Sequence, residues 1–137
     1  MSYSIRITES RNRELLIELS HILKSIRNGQ NYKWVVHSLD VNIVEATENH
    51  QQMTDGEYEE LNIINDSNDK IPVTWDKLCR LSQLNIQLLN GEIFGVQGDN
   101  WISISIFDGD YWIVTTSDYN MMTEIELGLS LKRKPDI

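Results

Sequence analysis

Residues Glu92 to Thr116 read EIFGVQGDNWISISIFDGDYWIVTT, and this stretch decides the fold. Within it, residues 102–106 alternate isoleucine with serine, which is the period of two expected of a half-buried β-strand. The dipeptide Asp108-Gly109 follows, and it is a strong hairpin signal because a type I′ turn needs positive φ at both central residues. Gly98-Asp99 supplies a second tight turn before the strand. The sequence therefore predicts three consecutive antiparallel strands.

Two registers are open to the hairpin around Asp108-Gly109. A two-residue turn pairs Ile106 with Tyr111, whereas a three-residue turn pairs Ile106 with Trp112. The second register separates polar from apolar faces better, but it moves the glycine away from the position that requires positive φ. We favour the two-residue turn, which places Trp112 on a mixed face of the sheet. A tryptophan there is more often part of a secondary cluster than a ligand platform.

The composition is that of an ordinary globular protein. The 137 residues fit one domain, 1–137, with 40% hydrophobic and 24% charged residues. The single cysteine, Cys79, excludes an internal disulfide and fits a reducing compartment. No apolar run approaches the roughly 18 residues of a membrane span, and the N-terminus has no hydrophobic secretory core. We therefore expect a cytoplasmic protein. The net charge of −9 argues against binding to nucleic acid or to a membrane.

The first third of the chain predicts a strand followed by a helix. Residues 4–8 form the short strand. A helix is predicted over residues 11–27, with Ser10 as its N-cap and Gly29 just beyond its C-terminus. The predicted buried stripe consists of apolar residues at three- and four-residue spacings: Leu15, Leu19, Ile22, Leu23 and Ile26.

Two further segments leave alternatives open. Residues 32–44 are extended, either as one bent strand or as two strands with a break near Ser38. Residues 121–131 fit a short helix or a strand equally poorly. With the three-strand meander, these segments predict an α+β fold. We expect an antiparallel sheet of four to six strands with two main helices packed on one face.

The second main helix begins after Thr74, which is a good N-cap. We favour a helix over residues 75–89 that Asn90-Gly91 terminates. The alternative ends the helix near Leu84, continues as a strand from residue 86 and uses Asn90-Gly91 as a hairpin turn. On the helical interpretation, Cys79 lies on the apolar stripe and is a buried, unreactive thiol.

No motif for catalysis or metal binding is present. His21, His37 and His50 lie in different predicted elements, and the glycines at 91, 95 and 98 lie in hairpin context rather than in a phosphate-binding loop. The aspartates at 108 and 110 lack the twelve-residue ligand ladder of a calcium loop. We therefore expect a non-catalytic protein with no cofactor.

The charge is concentrated in residues 45–70, which we call the acidic segment. Between Glu45 and Asp69 there are eight acidic and no basic residues, so this stretch accounts for −8 of the net charge. Its periodicity is poor, and we expect a long excursion from the core with a short helical turn or strand around residues 57–64. Such charges often only solvate a loop. They can also meet a basic surface, because complementary charge speeds encounter and selects partners.

The predicted partner-binding residues are the acids around Tyr58, which can supply an apolar anchor. The set is Asp55, Glu57, Tyr58, Glu59, Glu60, Asp66 and Asp69. In size, acidity, single α+β domain and Trp-rich sheet, the chain resembles the small acidic immunity proteins of bacterial toxin systems, including contact-dependent inhibition. The resemblance implies an inhibitor that covers the active site or a neighbouring exosite of a basic toxin domain. Nucleases are the natural case, because their sites are basic in order to bind phosphate.

The alternative function belongs to another class. It is a small-molecule-binding or enzymatic domain with a pocket between the sheet and the acidic segment. Trp101 or Trp112 would form a wall of that pocket, and the sheet face around these two residues is the alternative binding surface.

Overall fold

The computed structural model describes residues 1–8, 10–11, 14–15 and 17–133. Its α+β class confirms the prediction, with one six-stranded antiparallel sheet, a separate two-stranded ribbon and four α-helices in the described residues. The strands are β1 (Tyr3–Ile7), β2 (Ser10–Arg11), β3 (Glu14–Leu15), β4 (Lys33–Ile43), β5 (Ile71–Val73), β6 (Ile86–Gln97), β7 (Asn100–Phe107) and β8 (Tyr111–Thr116). The helices are α1 (Leu19–Lys24), α2 (Asp55–Asp66), α3 (Trp75–Leu81) and α4 (Tyr119–Arg133). The order in the sheet is β1-β8-β7-β6-β4-β5, and β2 and β3 form the ribbon.

The predicted meander is confirmed as β6, β7 and β8, but its second hairpin has the register that we disfavoured. Asp108 and Gly109 do occupy the centre of the turn, with φ of 54° and 67°, and Asp110 N donates to Phe107 O at 2.9 Å. Nevertheless Ile106 pairs with Trp112, because Asp110 is an extra, unpaired residue. This bulge lets a type I′ turn coexist with a register that places every core-facing side chain on one side.

The buried face of the sheet is a continuous apolar layer. One row of cross-strand partners runs through Ile5, Val114, Ile104, Ile93 and Val36. Buried residues of all four helices belong to the same core cluster as this face. The helices therefore pack on one side, as predicted, although there are four of them rather than two in the described residues. The other face carries Ser103 and Ser105, which are only half-buried.

The first helix is much shorter than predicted. α1 covers only Leu19–Lys24, and the ribbon β2–β3 occupies positions assigned to the predicted helix and to its N-cap, Ser10. The helix begins after Glu18, whose extended backbone (φ −99°, ψ 163°) donates from its N–H to His21 Nδ1 at 2.8 Å. The predicted buried stripe is confirmed for the side chains that the structure describes, since Leu19, Ile22, Leu23 and Ile26 are buried. The side chain of Leu15 lies outside the described part of the chain.

Gly29 does not terminate this helix. It begins a 3₁₀ turn, Gly29–Asn31. A Cβ atom on Gly29 would lie 2.4 Å from Cη2 of the Trp75 indole, so the position requires glycine because a ring from α3 packs directly on the backbone.

The helix preferred over residues 75–89 is also wrong. Thr74 is the N-cap, as predicted, and its Oγ1 accepts from Lys77 N at 3.1 Å. However, α3 ends at Leu81, and β6 runs without a hairpin through Asn90-Gly91. A buried amide fixes the start of the strand: Asn85 is 1% exposed, its Oδ1 accepts from Met53 N at 2.9 Å and its Nδ2 donates to Val44 O at 2.7 Å.

The other open alternatives are resolved by strand geometry. β4 is one bent strand whose register shifts after His37, where Ser38 has a φ of 54°. Two residues of β4 there face Gly91 of β6, which makes the predicted break a β-bulge. Residues 121–131 are helical within α4.

Candidate functional sites

The acidic segment contains more regular secondary structure than its sequence predicts. Instead of the short helical turn or strand expected around residues 57–64, it contains the twelve-residue helix α2. Thr54 Oγ1 accepts from Glu57 N at 3.2 Å, and Glu57 Oε1 accepts from Thr54 N at 2.9 Å. This reciprocal pair is a capping box. The Thr-x-x-Glu spacing was the sequence signal that could have located the helix start.

The inner side of α2 is anchored to the core and to α3. Leu61 and Ile64 are buried. Glu57 accepts from Arg80 through two contacts, Nε to Oε2 at 2.9 Å and Nη2 to Oε1 at 3.2 Å. Glu60 pairs with Lys77 at 3.2 Å. The Arg80 hydrogen bonds, with that from the Thr54 backbone, lower the pKa of Glu57 from 4.5 to about 2.

Two residues of the predicted partner-binding set, Glu57 and Glu60, take part in these ion pairs. The partly buried Glu57–Arg80 pair ties α2 to α3, whereas the Glu60–Lys77 pair is exposed. Both pairs offset the glutamate charges within the chain. The sequence could not reveal this, because Arg80 lies 23 positions from Glu57. The long side chains of Lys77 and Arg80 span the distance from α3 to their partners on α2.

The outer side of α2 retains the predicted acidic character. We define the outer face as Asp55, Tyr58, Glu59, Ile63 and Asp66. Within the described residues its three carboxylates have no ion-pair partner, and Tyr58 is 46% and Ile63 63% exposed. Spacings of four and seven residues align the three acids along one side of the helix, with Tyr58 and Ile63 flanking them. Asp69, also in the predicted set, is exposed in the loop beyond the helix.

The two tryptophans of the alternative surface lie on opposite faces of the sheet. Trp112 is 2% exposed, and its Nε1 donates to Ile17 O at 2.8 Å. It is a core residue, contrary to its predicted place on a mixed face, because the register shift turns it inward. Trp101 is half-buried on the open face and stacks on Phe94 with ring centroids 6.2 Å apart. They therefore cannot form one continuous surface.

A cleft of about 370 Å³ opens between the sheet, the start of α1 and the first part of the acidic segment. Its apolar walls include Leu19, Leu88, Ile106 and Trp112. This is the position of the pocket in the alternative function, and Trp112 is one of its walls. The sequence could not specify the remaining walls, since they come from five separate stretches of the chain.

A hydrogen-bonded chain lies at the mouth of this cleft. His50 Nε2 lies 2.7 Å from Glu18 Oε1, and His50 Nδ1 lies 3.3 Å from Thr47 Oγ1. Hydroxyl, imidazole and carboxylate in series can move a proton. However, the Thr47 hydroxyl also accepts from Asn49 N at 3.2 Å, which makes it the acceptor of a local turn. We assign the chain the role of tying this loop to the N-terminus of α1.

Cys79 is half-buried rather than fully buried. Burial, and to a smaller extent Asp76, raises the pKa of its thiol, which disfavours the reactive thiolate. No cluster of three or more His, Cys, Asp or Glu that could hold a metal ion occurs among the described residues. Likewise, none of the described helices combines the length and the apolarity needed to cross a membrane.

The chain is thus an α+β protein with one six-stranded sheet, an acidic helix tied to α3, and a cleft between the sheet, α1 and the first part of the acidic segment. Comparisons with protein-family models, with curated proteins and with solved structures each find no match.

Proposed function

We propose that this chain is a non-catalytic binding protein that inhibits a basic partner through the outer face of α2. The observation that supports this proposal is that the acidic residues of α2 fall into two groups, one with ion-pair partners and one without. Glu57 and Glu60 pair with Arg80 and Lys77 of α3, whereas the outer acids have no such partner within the described residues. A toxin-immunity role fits this proposal, because the basic site of a nuclease is complementary to such a face.

The outer face combines the two ingredients of a specific protein interface. Asp55, Glu59 and Asp66 supply long-range attraction, which raises association rates more than affinity. Tyr58 and Ile63 supply exposed apolar area between and beside these charges. Tyrosine in particular is enriched among the residues that dominate binding energy.

The test begins with affinity capture from the native host, followed by binding kinetics with the purified partner. The informative variant is the triple substitution Asp55→Asn, Glu59→Gln, Asp66→Asn, because it leaves both ion pairs with α3 intact. At low salt its association rate should fall roughly tenfold, within the range of electrostatic steering. The difference from wild type should shrink as salt rises, because screening shortens to about 8 Å at physiological ionic strength.

The matched control removes three exposed acids elsewhere: Asp99→Asn, Asp110→Asn, Glu126→Gln. It changes the net charge by the same amount but leaves α2 untouched, so its association rate should stay near that of wild type. Tyr58→Ala should act mainly on the dissociation rate. Equal association rates for the two triple variants would refute the acidic-face proposal.

The alternative function, a small-molecule site, is favoured by one observation. A cleft of about 370 Å³ lies where the alternative places it, and this volume is within the usual range of ligand pockets, about 300–1,000 Å³. The cleft shares no residue with the outer face of α2, so the two functions are separable by mutation.

A further inference from the structure

We propose that the cleft beside Trp112 binds a small organic cation, an ammonium group attached to an apolar body. The proposal rests on the cleft alone and does not depend on the partner proposed for α2. Three features of the cleft support it: its apolar walls, the negative charges at its mouth, and the polar atoms that can accept hydrogen bonds from a ligand.

The walls can accept an apolar body. Ile106 and Trp112 are buried core residues of the sheet, and Leu19 of α1 is buried opposite them. Leu88 and Ile86 of β6 are only partly buried and pack against the core. Covering such partly exposed apolar surface removes it from water and favours binding.

The charges at the mouth favour a cation. Glu18 and Glu45 line the cleft, and no lysine or arginine is among its described lining residues. Glu45 is exposed, and within the described residues it has no ion-pair partner. A ligand carboxylate would meet the same two acids and be repelled, whereas an ammonium group would be attracted to them.

The hydroxyl of Ser82 points to the same ligand class, since it offers only an acceptor. The Gln87 amide, which also lines the cleft, can donate as well as accept and so favours neither class. The Ser82 hydroxyl hydrogen is already donated to Cys79 O at 2.6 Å, so the Ser82 oxygen can only accept from a ligand. The Glu18 and Glu45 carboxylates are acceptors when ionised. A head group with several N–H donors and no acceptor, which is an ammonium, matches the acceptors of Ser82, Glu18 and Glu45.

The experiment is calorimetric titration with three probes of similar size: 2-phenylethylammonium, 2-phenylethanol and 3-phenylpropionate. The ammonium probe should bind most tightly, the alcohol more weakly, and the carboxylate should show no saturable binding. Glu18→Gln and Glu45→Gln should each weaken the ammonium probe roughly tenfold, the scale of a charge-assisted hydrogen bond. Leu88→Trp should abolish binding by filling the cleft.

Glu48→Gln is the matched control, because Glu48 is an exposed acid of the same segment outside the cleft lining. It should leave the affinity unchanged. Glu18 also contacts His50, so circular dichroism must confirm that Glu18→Gln folds; Glu45→Gln carries the test if it does not. The proposal is overturned if the ammonium probe fails to bind wild type, if the carboxylate binds as tightly, or if Glu45→Gln binds like Glu48→Gln. None of these outcomes bears on the α2 triple variant.

Discussion

Replacing Glu57 by glutamine tests the ion pair that fastens α2 to α3. The substitution keeps the side-chain oxygen that can accept from Thr54 N at the helix start, but it removes the charge facing Arg80. The pKa of Glu57 lies at about 2 instead of 4.5. The full shift corresponds to about 3 kcal/mol of stabilisation of the folded protein by the ionised carboxylate. Because the side chains of Glu57 and Arg80 are 22% and 37% exposed, solvent screening reduces the expected loss of stability to about 1 kcal/mol.

The pH dependence has a definite sign. The folded-state pKa of Glu57 is depressed, so the unfolded chain takes up the proton first as the pH falls. The contribution of the carboxylate to stability is therefore fully present above its ordinary pKa of 4.5 and is lost as the pH falls towards about 2. Near neutral pH the whole contribution is present, and near pH 3 part of it is gone.

The assay is urea unfolding of wild type, Glu57→Gln and the control Glu59→Gln near pH 7 and near pH 3. Glu59 is exposed on the same helix and has no ion-pair partner within the described residues, so its substitution should change the free energy of unfolding by less than about 0.5 kcal/mol. The deficit of Glu57→Gln should be smaller near pH 3. An unchanged deficit at both pH values, or an equal deficit for Glu59→Gln, would refute the assignment of the ion pair as the cause.

Three further predictions concern the fold. Ile104 is 1% exposed in a central strand. Replacing it by alanine should lower the free energy of unfolding in urea by about 2–5 kcal/mol; a loss under about 1 kcal/mol would contradict its central position. Gly29→Ala should destabilise by about 1–3 kcal/mol because its Cβ would lie 2.4 Å from the Trp75 ring. On α2 a Cβ atom added to Gly56 would make only an ordinary van der Waals contact, 3.9 Å from Thr54 Oγ1. Gly56→Ala should therefore stabilise by up to about 1 kcal/mol, and the same sign for both substitutions would be inconsistent with this packing. Cys79 should react with a thiol reagent more slowly in the native protein than in the unfolded chain; equal rates would count against its partial burial in α3.

The meander could be predicted from sequence because its signals are local. Alternating isoleucine and serine fixes which side chains face inward, and Asp108-Gly109 fixes the turn. The register was missed because the bulge at Asp110 depends on a neighbouring strand. Gly109 N donates to Leu89 O at 2.8 Å, and no pattern within residues 100–116 contains that contact.

The boundary between α3 and β6 shows the opposite case, in which a local pattern misleads. Leucines at positions 78, 81, 84 and 88 satisfy helical spacing, but short apolar runs fit helix and strand alike. The deciding residue is Asn85. Its buried amide bonds to Met53 N and Val44 O, so the strand start depends on two chain segments more than 30 positions away. Both candidate sites share this dependence, since the Arg80–Glu57 pair and the Glu18–His50 contact join separate elements.

The anchoring of α2 also constrains how the proposed partner would bind. The capping box and the ion pairs to Arg80 and Lys77 order the helix before any encounter, so the complex would not carry the full entropic cost of ordering this segment. Asp55 and Glu59 are like charges four residues apart, which repel each other in the free protein. A basic partner would relieve that repulsion, and salt would screen both the repulsion and the attraction. Burial of Tyr58 and Ile63 depends far less on salt, so rising ionic strength should slow association more than it speeds dissociation.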